Sequence, residues 1–326
     1  MASVILTHLG GSIPLYIKDC VHQLRLWNPN TPIYIILEPM HKENVMWAII
    51  ESFYAVNLVY TDTLFPTAHH TEFRVNFKGD LAFRTGYWKL VKERFFYIEE
   101  LIAREHLKDT ISMEYDVLVY YSLETLKHKL RSSHRTLRMV MDNDTRGHPG
   151  FMYIPTIEAL NTFNTFLSSI AGLPYSDMDA LSLYVKLFDI HFLPVITESR
   201  NRSIAHRCAK NGYSCPDTSF LSEDSEHLGV LFDSAVAGQW LGGVDSRNTG
   251  GHKALNYENE GALYSIREMP FEWRKHGELW QPILDNRVLA TIHVHSKALS
   301  CFVSDRVDRP TPDYDVNQVY ASLVPN

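Results

Sequence analysis

The stretch Ile111-Ser-Met-Glu-Tyr-Asp-Val-Leu-Val-Tyr-Tyr-Ser-Leu-Glu-Thr-Leu126 decides the reading of this chain. Two carboxylates, Glu114 and Asp116, stand two residues apart between apolar positions, and a helix start follows them. Residues i and i+2 of a strand point to one face, so the two side chains are expected to converge at the end of a buried strand. Like charges held together repel unless something positive lies between them. A divalent cation meets that need, and one that carries a diphosphate would make this a sugar-nucleotide site.

Upstream of that stretch, Trp88, Val91, Phe95, Ile98 and Leu101 are spaced for burial, which predicts a long helix over 86–104. Earlier still, apolar runs predict strands over 4–8, 32–37 and 56–60, with helices over 14–26 and 43–53 between them. This strand–helix alternation predicts an α/β fold: a mixed, mostly parallel central sheet flanked by helices, Rossmann-like in its opening. Ligands in open α/β sheets lie beyond the carboxyl ends of the strands, which is where Glu114 and Asp116 fall. Downstream, the pattern predicts a strand over 147–154, helices over 155–170 and 177–188, and a strand over 191–196. Residues 200–226 are polar and irregular and read as a surface loop. A β-like run over 287–292 leads into His293 and His295, and the chain beyond 308 is rich in Pro and Asp.

At 326 residues the chain can build one large domain or two halves around a shared core. A net charge of −7 gives no electrostatic reason to expect a nucleic-acid partner. No apolar run is long enough to span a membrane, and the opening residues lack a basic segment followed by an apolar one. A cytoplasmic location with reduced thiols is therefore expected. The four cysteines contain no CxxC pair, which argues against a thiolate zinc site; Cys208 and Cys215 are close enough for a loop bridge.

Other acids and histidines stand out. Asp177 and Asp179 open a helical pattern, where they complement the helix dipole or face a sugar. Residues 232–248 mix small residues with Asp233, Gln239, Trp240 and Asp245, a composition suited to stacking on a sugar and binding its hydroxyls. His293 and His295 would share a face of one strand and could ligate a transition ion, with Lys297 set for a phosphate. His69-His70 has no spaced partner and reads as surface.

Taken in order, five pieces of the chain resemble nucleotide-sugar-dependent glycosyltransferases of the GT-A fold. They are the 4–11 strand and turn, Glu114-Tyr-Asp116, Gly150-Phe-Met-Tyr-Ile-Pro155, Asp177-Met-Asp-Ala-Leu181, and His293-Val-His-Ser-Lys297. The pattern covers roughly residues 4–300 and is similar to soluble enzymes of bacteria and of large DNA viruses. The resemblance implies one catalytic domain over 1–300, with a nucleotide-sugar half over 1–125 and an acceptor half over 126–300, then a tail over 301–326. It implies Mn²⁺ or Mg²⁺ held by Asp116 and Glu114 with His293 or His295. Glu114 stands where the family usually has Asp, and its longer side chain could contact ribose instead. The resemblance further implies His8 and Gly10 near base and ribose, helped by Asp62, and Arg84, Lys89 and Lys297 toward the diphosphate. Asp233, Asp179 and Asp245 are the candidates for general base. The implied activity moves a sugar from a nucleotide-diphosphate sugar, of the UDP type, to a glycan hydroxyl. Two alternatives stand beside it: a non-catalytic sugar-nucleotide-binding protein, and a glycoside hydrolase using Asp177 and Asp179. A nicotinamide-dependent enzyme is disfavoured by the lack of GxGxxG after the first strand.

Overall fold

The computed structural model describes residues 2–133, 136–188, 190–202, 218–245 and 256–306. Eight strands come first in chain order: β1 (Ser3–His8), β2 (Ile33–Leu37), β3 (Asn57–Tyr60), β4 (Thr110–Met113), β5 (Val117–Val119), β6 (Arg138–Asn143), β7 (Arg146–Ile154) and β8 (His191–Phe192). All but β5 join a seven-stranded sheet of order β3-β2-β1-β4-β7-β6-β8. β1 to β4 run parallel, β7 is antiparallel to both its neighbours, and β8 is parallel to β6. The expected mixed, mostly parallel sheet is therefore present.

Side-chain alternation distributes these strands between two cores. Val4 and Leu6 of β1 and Ile33 and Ile35 of β2 enter one, while Ile5 and Ile36 enter the other. On the first face lie α1 (Ile17–Trp27) and α2 (Val45–Tyr54), through Val21, Leu24, Trp47 and Ile50. α3 (Ala68–Asn76) and α4 (Tyr87–Glu105) cover the second. α5 (Leu123–Ser133) follows on the first face, and α6 (Ile157–Ser169) and α7 (Asp177–Leu187) complete the second. Burying each such apolar side chain stabilises the fold by about 1.5–3 kcal/mol, and the two-sided cover explains why β2 reads as an unbroken apolar run.

The remaining strands are β9 (Val230–Leu231), β10 (Phe271–His276), β11 (Leu279–Leu284), β12 (Arg287–Leu289) and β13 (Thr291–His293). β10, β11, β12 and β9 form a second sheet, and β13 pairs antiparallel with β5.

Several sequence expectations are corrected. The strand expected to carry Glu114 and Asp116 on one face stops short of them: β4 ends at Met113, a turn spans Glu114 to Asp116, and β5 leaves the main sheet. The strand expected over 191–196 covers only His191 and Phe192. The β-like run expected over 287–292 is also two strands, in different sheets, and His295 lies beyond β13. α3, β6 and the β10–β11 hairpin are additions to the expected elements. β6 is masked in the sequence by Arg138 and Asp142, both buried by ion pairs with Asp224 and Arg146. His69-His70 is not surface: His70 is fully buried on α3. Residues 301–304, expected to open a tail, are buried, with Ser304 accepting hydrogen bonds from Gln23 and Trp27. Cys20 and Cys301 are buried free thiols. Cys208, Cys215 and the chain beyond 306 lie outside the described residues. Among the described residues no helix is long and apolar enough to cross a membrane.

Candidate functional site

The acidic pair is positioned by backbone geometry. Glu114 N–H donates to the Gly150 carbonyl at 3.0 Å, and Val117 N–H closes a turn onto the Glu114 carbonyl at 3.1 Å. This turn, rather than strand alternation, brings Glu114 and Asp116 together. The β5–β13 ladder then pairs Val117 with His293, and Val294 N–H donates to the Asp116 carbonyl at 2.8 Å. A residue remote in sequence is thereby fixed beside Asp116.

Glu114, Asp116 and His293 each offer a ligand atom, and those atoms all lie within 4.8 Å of one another. His293 Nε2 is 3.1 Å from Asp116 Oδ2 and 3.9 Å from Glu114 Oε2. Lys297 forms an ion pair with the same Asp116 oxygen. Asp116 Oδ1 and His293 Nδ1 are buried without a hydrogen-bond partner. Burial alone would raise Asp116, but His293 and Lys297 outweigh it and hold the carboxyl well below its ordinary range. Burial likewise opposes a charged ring on His293, yet Asp116 and then Glu114 shift it upward. His148, 4.7 Å from His293 between ring centroids, is kept neutral by burial and by His293.

Close backbone approach is built into this region. A Cβ on Gly238 would lie 1.7 Å from the His293 carbonyl oxygen, and one on Gly150 would come within 3.1 Å of both His148 and His293 ring nitrogens. Only glycine lets the helix Val236–Gly242 lie against β13.

The other expected site residues divide clearly. His8 ends β1 at the same sheet edge, its Nδ1 3.3 Å from the Tyr115 hydroxyl, with His41 and Trp47 beside it. Burial, then His41, lowers His8 to about 4. Gly10 takes a φ of +119°, which suits glycine; its N–H donates to Glu38 at 2.6 Å and its carbonyl lies 2.9 Å from His41 Nε2. Asp62 is exposed and paired with Lys42 at 2.7 Å. Lys89 lies 3.8 Å from Glu93 on its own helix, and exposed Arg84 stacks over Phe83 and Tyr87. Neither is in the acidic cluster. His295 stands outside the three-residue group; its Nδ1 accepts from Asp245 N–H at 3.1 Å, and burial followed by Lys297 lowers it to about 3. Asp245 is buried beside it.

Two candidate bases take part in structural hydrogen bonds. Asp179 closes a capping box at the start of α7, accepting from Ser176 N–H at 3.0 Å and from the Ser176 hydroxyl at 2.7 Å. Asp233 accepts from Ala237 N–H, Gly238 N–H and His293 N–H at 2.8, 2.8 and 2.9 Å. Both its oxygens are thus committed to holding backbone in place. Trp240, expected to stack on a sugar, has Arg267 over its ring at 5.3 Å and lines a small recess with Tyr257 and Glu258.

Arg94 is absent from the residues that the sequence singles out. It bridges Glu114 at 2.6 Å and Asp177 at 2.9 Å, tying α4, the acidic turn and α7 together. Burial opposes its charge, but Glu114 and Asp177 outweigh that and push its pKa up. An arginine beside apolar helix neighbours carries no local signal; only its two distant partners reveal it.

No protein-family model and no curated protein matches the chain. Among solved structures, an active-site mutant of LgtC is similar at 11% identity and a TM-score of 0.44, over 68% of this chain and 81% of that one. Apo mouse xyloside xylosyltransferase 1 is similar at 10% identity and 0.43, over 59% and 84%. A cytidylyltransferase from Leptospira borgpetersenii serovar Hardjo-bovis matches at 11% identity and 0.37, over 59% and 75%. At these scores the likenesses carry no argument about function.

Proposed function

We propose that this chain is a GT-A-type glycosyltransferase that moves a sugar from a nucleotide-diphosphate sugar to a glycan hydroxyl, with Mn²⁺ or Mg²⁺ held by Glu114, Asp116 and His293. One observation carries this reading: three potential ligand atoms within 4.8 Å of one another, at the carboxyl end of a parallel strand. The donor set fits the group. Two carboxylates and one imidazole suit a hard or borderline divalent ion, and a buried, unpartnered Asp116 oxygen is a free ligand atom. Bound there, the cation would offset charge building on the departing diphosphate.

The chain's own residues do the rest. His8, Gly10 and Tyr115 form the wall offered to base and ribose. Arg94 holds Glu114 and Asp177 in fixed orientation, and the planar guanidinium suits a two-carboxylate bridge. Lys297 pairs with the diphosphate. Asp245 is the remaining candidate to take the acceptor hydroxyl's proton. The proposed halves, 1–125 and 126–300, meet in this cluster: the first supplies Glu114 and Asp116, the second His293 and Lys297. A hydrolase built on Asp177 and Asp179 is less well supported, because Arg94 binds one and the Ser176 cap binds the other.

The test is thermal unfolding of the purified chain with UDP or GDP, each with Mn²⁺ and with EDTA. A ligand at a hundredfold excess over Kd stabilises the folded state by about 2.7 kcal/mol. A metal-dependent rise in Tm with one nucleotide, lost in Asp116→Ala, is expected. No rise with any nucleotide sinks the proposal.

A further inference from the structure

We infer that Lys297 is an internal cation occupying the Asp116 carboxylate, displaced only when a divalent ion and a diphosphate arrive together, so that metal and nucleotide bind cooperatively. This rests on the glycosyltransferase reading and adds the order in which that site fills. Lys297 follows a turn in which its N–H donates to the Val294 carbonyl at 2.9 Å, and its backbone takes a φ of +70°. A non-glycine residue held there is over-determined by its surroundings, and the turn aims the ammonium at Asp116 Oδ2. A divalent ion on Asp116 would meet that ammonium at contact distance, where like charges repel strongly.

Local charge explains why the ammonium stays without nucleotide. Glu114, Asp116 and Asp177 carry three negative charges, and Arg94 and Lys297 offset two of them, which leaves one negative charge before any proton on His293 is counted. A divalent ion alone would reverse that sign inside a partly buried site. A diphosphate restores the balance and gives the released ammonium an anion to pair with. The side chain of Lys297 is 18% exposed, so it can swing outward on its flexible stem. Linkage then requires that each ligand tighten the other by the same factor.

The experiment measures Mn²⁺ binding by the full chain, from the electron-paramagnetic signal of free Mn²⁺, with and without saturating UDP. The wild type should bind Mn²⁺ weakly alone and at least about tenfold more tightly with UDP, inside the ordinary range of coupling. Lys297→Met should bind Mn²⁺ alone about tenfold more tightly than wild type and lose most of the gain from UDP. Lys297→Arg, which keeps the charge, should behave as wild type. Matching far-ultraviolet spectra and Tm values confirm that the variants fold. Mn²⁺ binding unchanged or weakened in Lys297→Met overturns the latch and leaves the metal site standing. No Mn²⁺ binding by any of the three proteins, with or without UDP, overturns the metal site and the latch together.

Discussion

Two centres in this molecule place a histidine between two carboxylates, and they differ in what each leaves open. On α3, fully buried His70 has Nδ1 2.5 Å from Glu100 and Nε2 3.2 Å from Glu93, with Arg74 on the same Glu93 oxygen at 2.5 Å. Both ring nitrogens face carboxylates, which favours the doubly protonated ring and raises its pKa. At the sheet edge, His293 presents only Nε2 to Asp116 and Glu114, while its Nδ1 and one Asp116 oxygen have no partner. Glu114 keeps 27% of its side chain exposed, against 6% or less for Glu93 and Glu100. Glu100 also has one buried oxygen without a partner, so the centres differ in the ring and in exposure: both ring nitrogens of His70 are matched between buried carboxylates, whereas His293 keeps one unmatched and Glu114 reaches solvent.

The widest separation between the two centres should come from removing one histidine. His70→Leu takes the histidine from buried Glu100 and leaves Glu93 to Arg74 and Lys89, a loss of about 3–5 kcal/mol. Urea unfolding should show this, with nucleotide-dependent thermal shifts persisting at temperatures where the variant is folded. If Asp116→Asn destabilises the chain as much as His70→Leu does, the contrast fails. Instead, Asp116→Asn should lower metal-dependent transfer about a thousandfold, the loss of several kcal/mol of charge stabilisation, with a stability change under about 2 kcal/mol.

pH should part the centres next. The pKa of His70 is raised: burial opposes its charge, but hydrogen bonds to Glu100 and Glu93 outweigh that. Its contribution to stability is therefore complete below pH 6.5 and declines as pH climbs through its folded-state value. Unfolding at about pH 6 and about pH 9 should show a loss in the wild type that is absent in His70→Leu. His8, lowered to about 4, works in the opposite direction: its neutral buried ring costs stability as pH falls from 6.5 to about 4. The smallest effect is expected from Gly150→Ala, where the new methyl meets two ring nitrogens at 3.0 and 3.1 Å. About 1 kcal/mol of crowding should result, visible as altered imidazole resonances of His148 and His293 with the fold intact.

Much of the architecture was legible. The apolar runs of β1, β2 and β3 and the 3.6-residue spacing of α4 are local signals, and each element formed within a few residues of its expected place. The acidic pair was also legible, because two carboxylates between apolar strand positions demand compensation wherever they fold. α3 and β6 were missed for a shared reason. Their buried charged groups are paired, His70 and Arg138 with partners remote in sequence and Asp142 with Arg146 across the turn into β7, so polarity that reads as exposure is in fact pairing. Asp179 and Asp233 show the other direction: as carboxylates they read as chemistry, and the structure adds hydrogen bonds from neighbouring amides and the Ser176 hydroxyl that no local pattern announces.

The sequence by itself determined the strand–helix alternation of the opening third, the two-faced burial of the sheet and the place of Glu114 and Asp116 at a strand's end, since periodicity and local charge are properties of short segments. Only the tertiary structure decided that the pair meets across a turn. It also chose His293 over His295, set Lys297 on Asp116 and made Arg94 the bridge to Asp177. Those contacts depend on the β5–β13 ladder and on the packing of α4 against α7, and pairing between segments so distant leaves no periodic trace in either one.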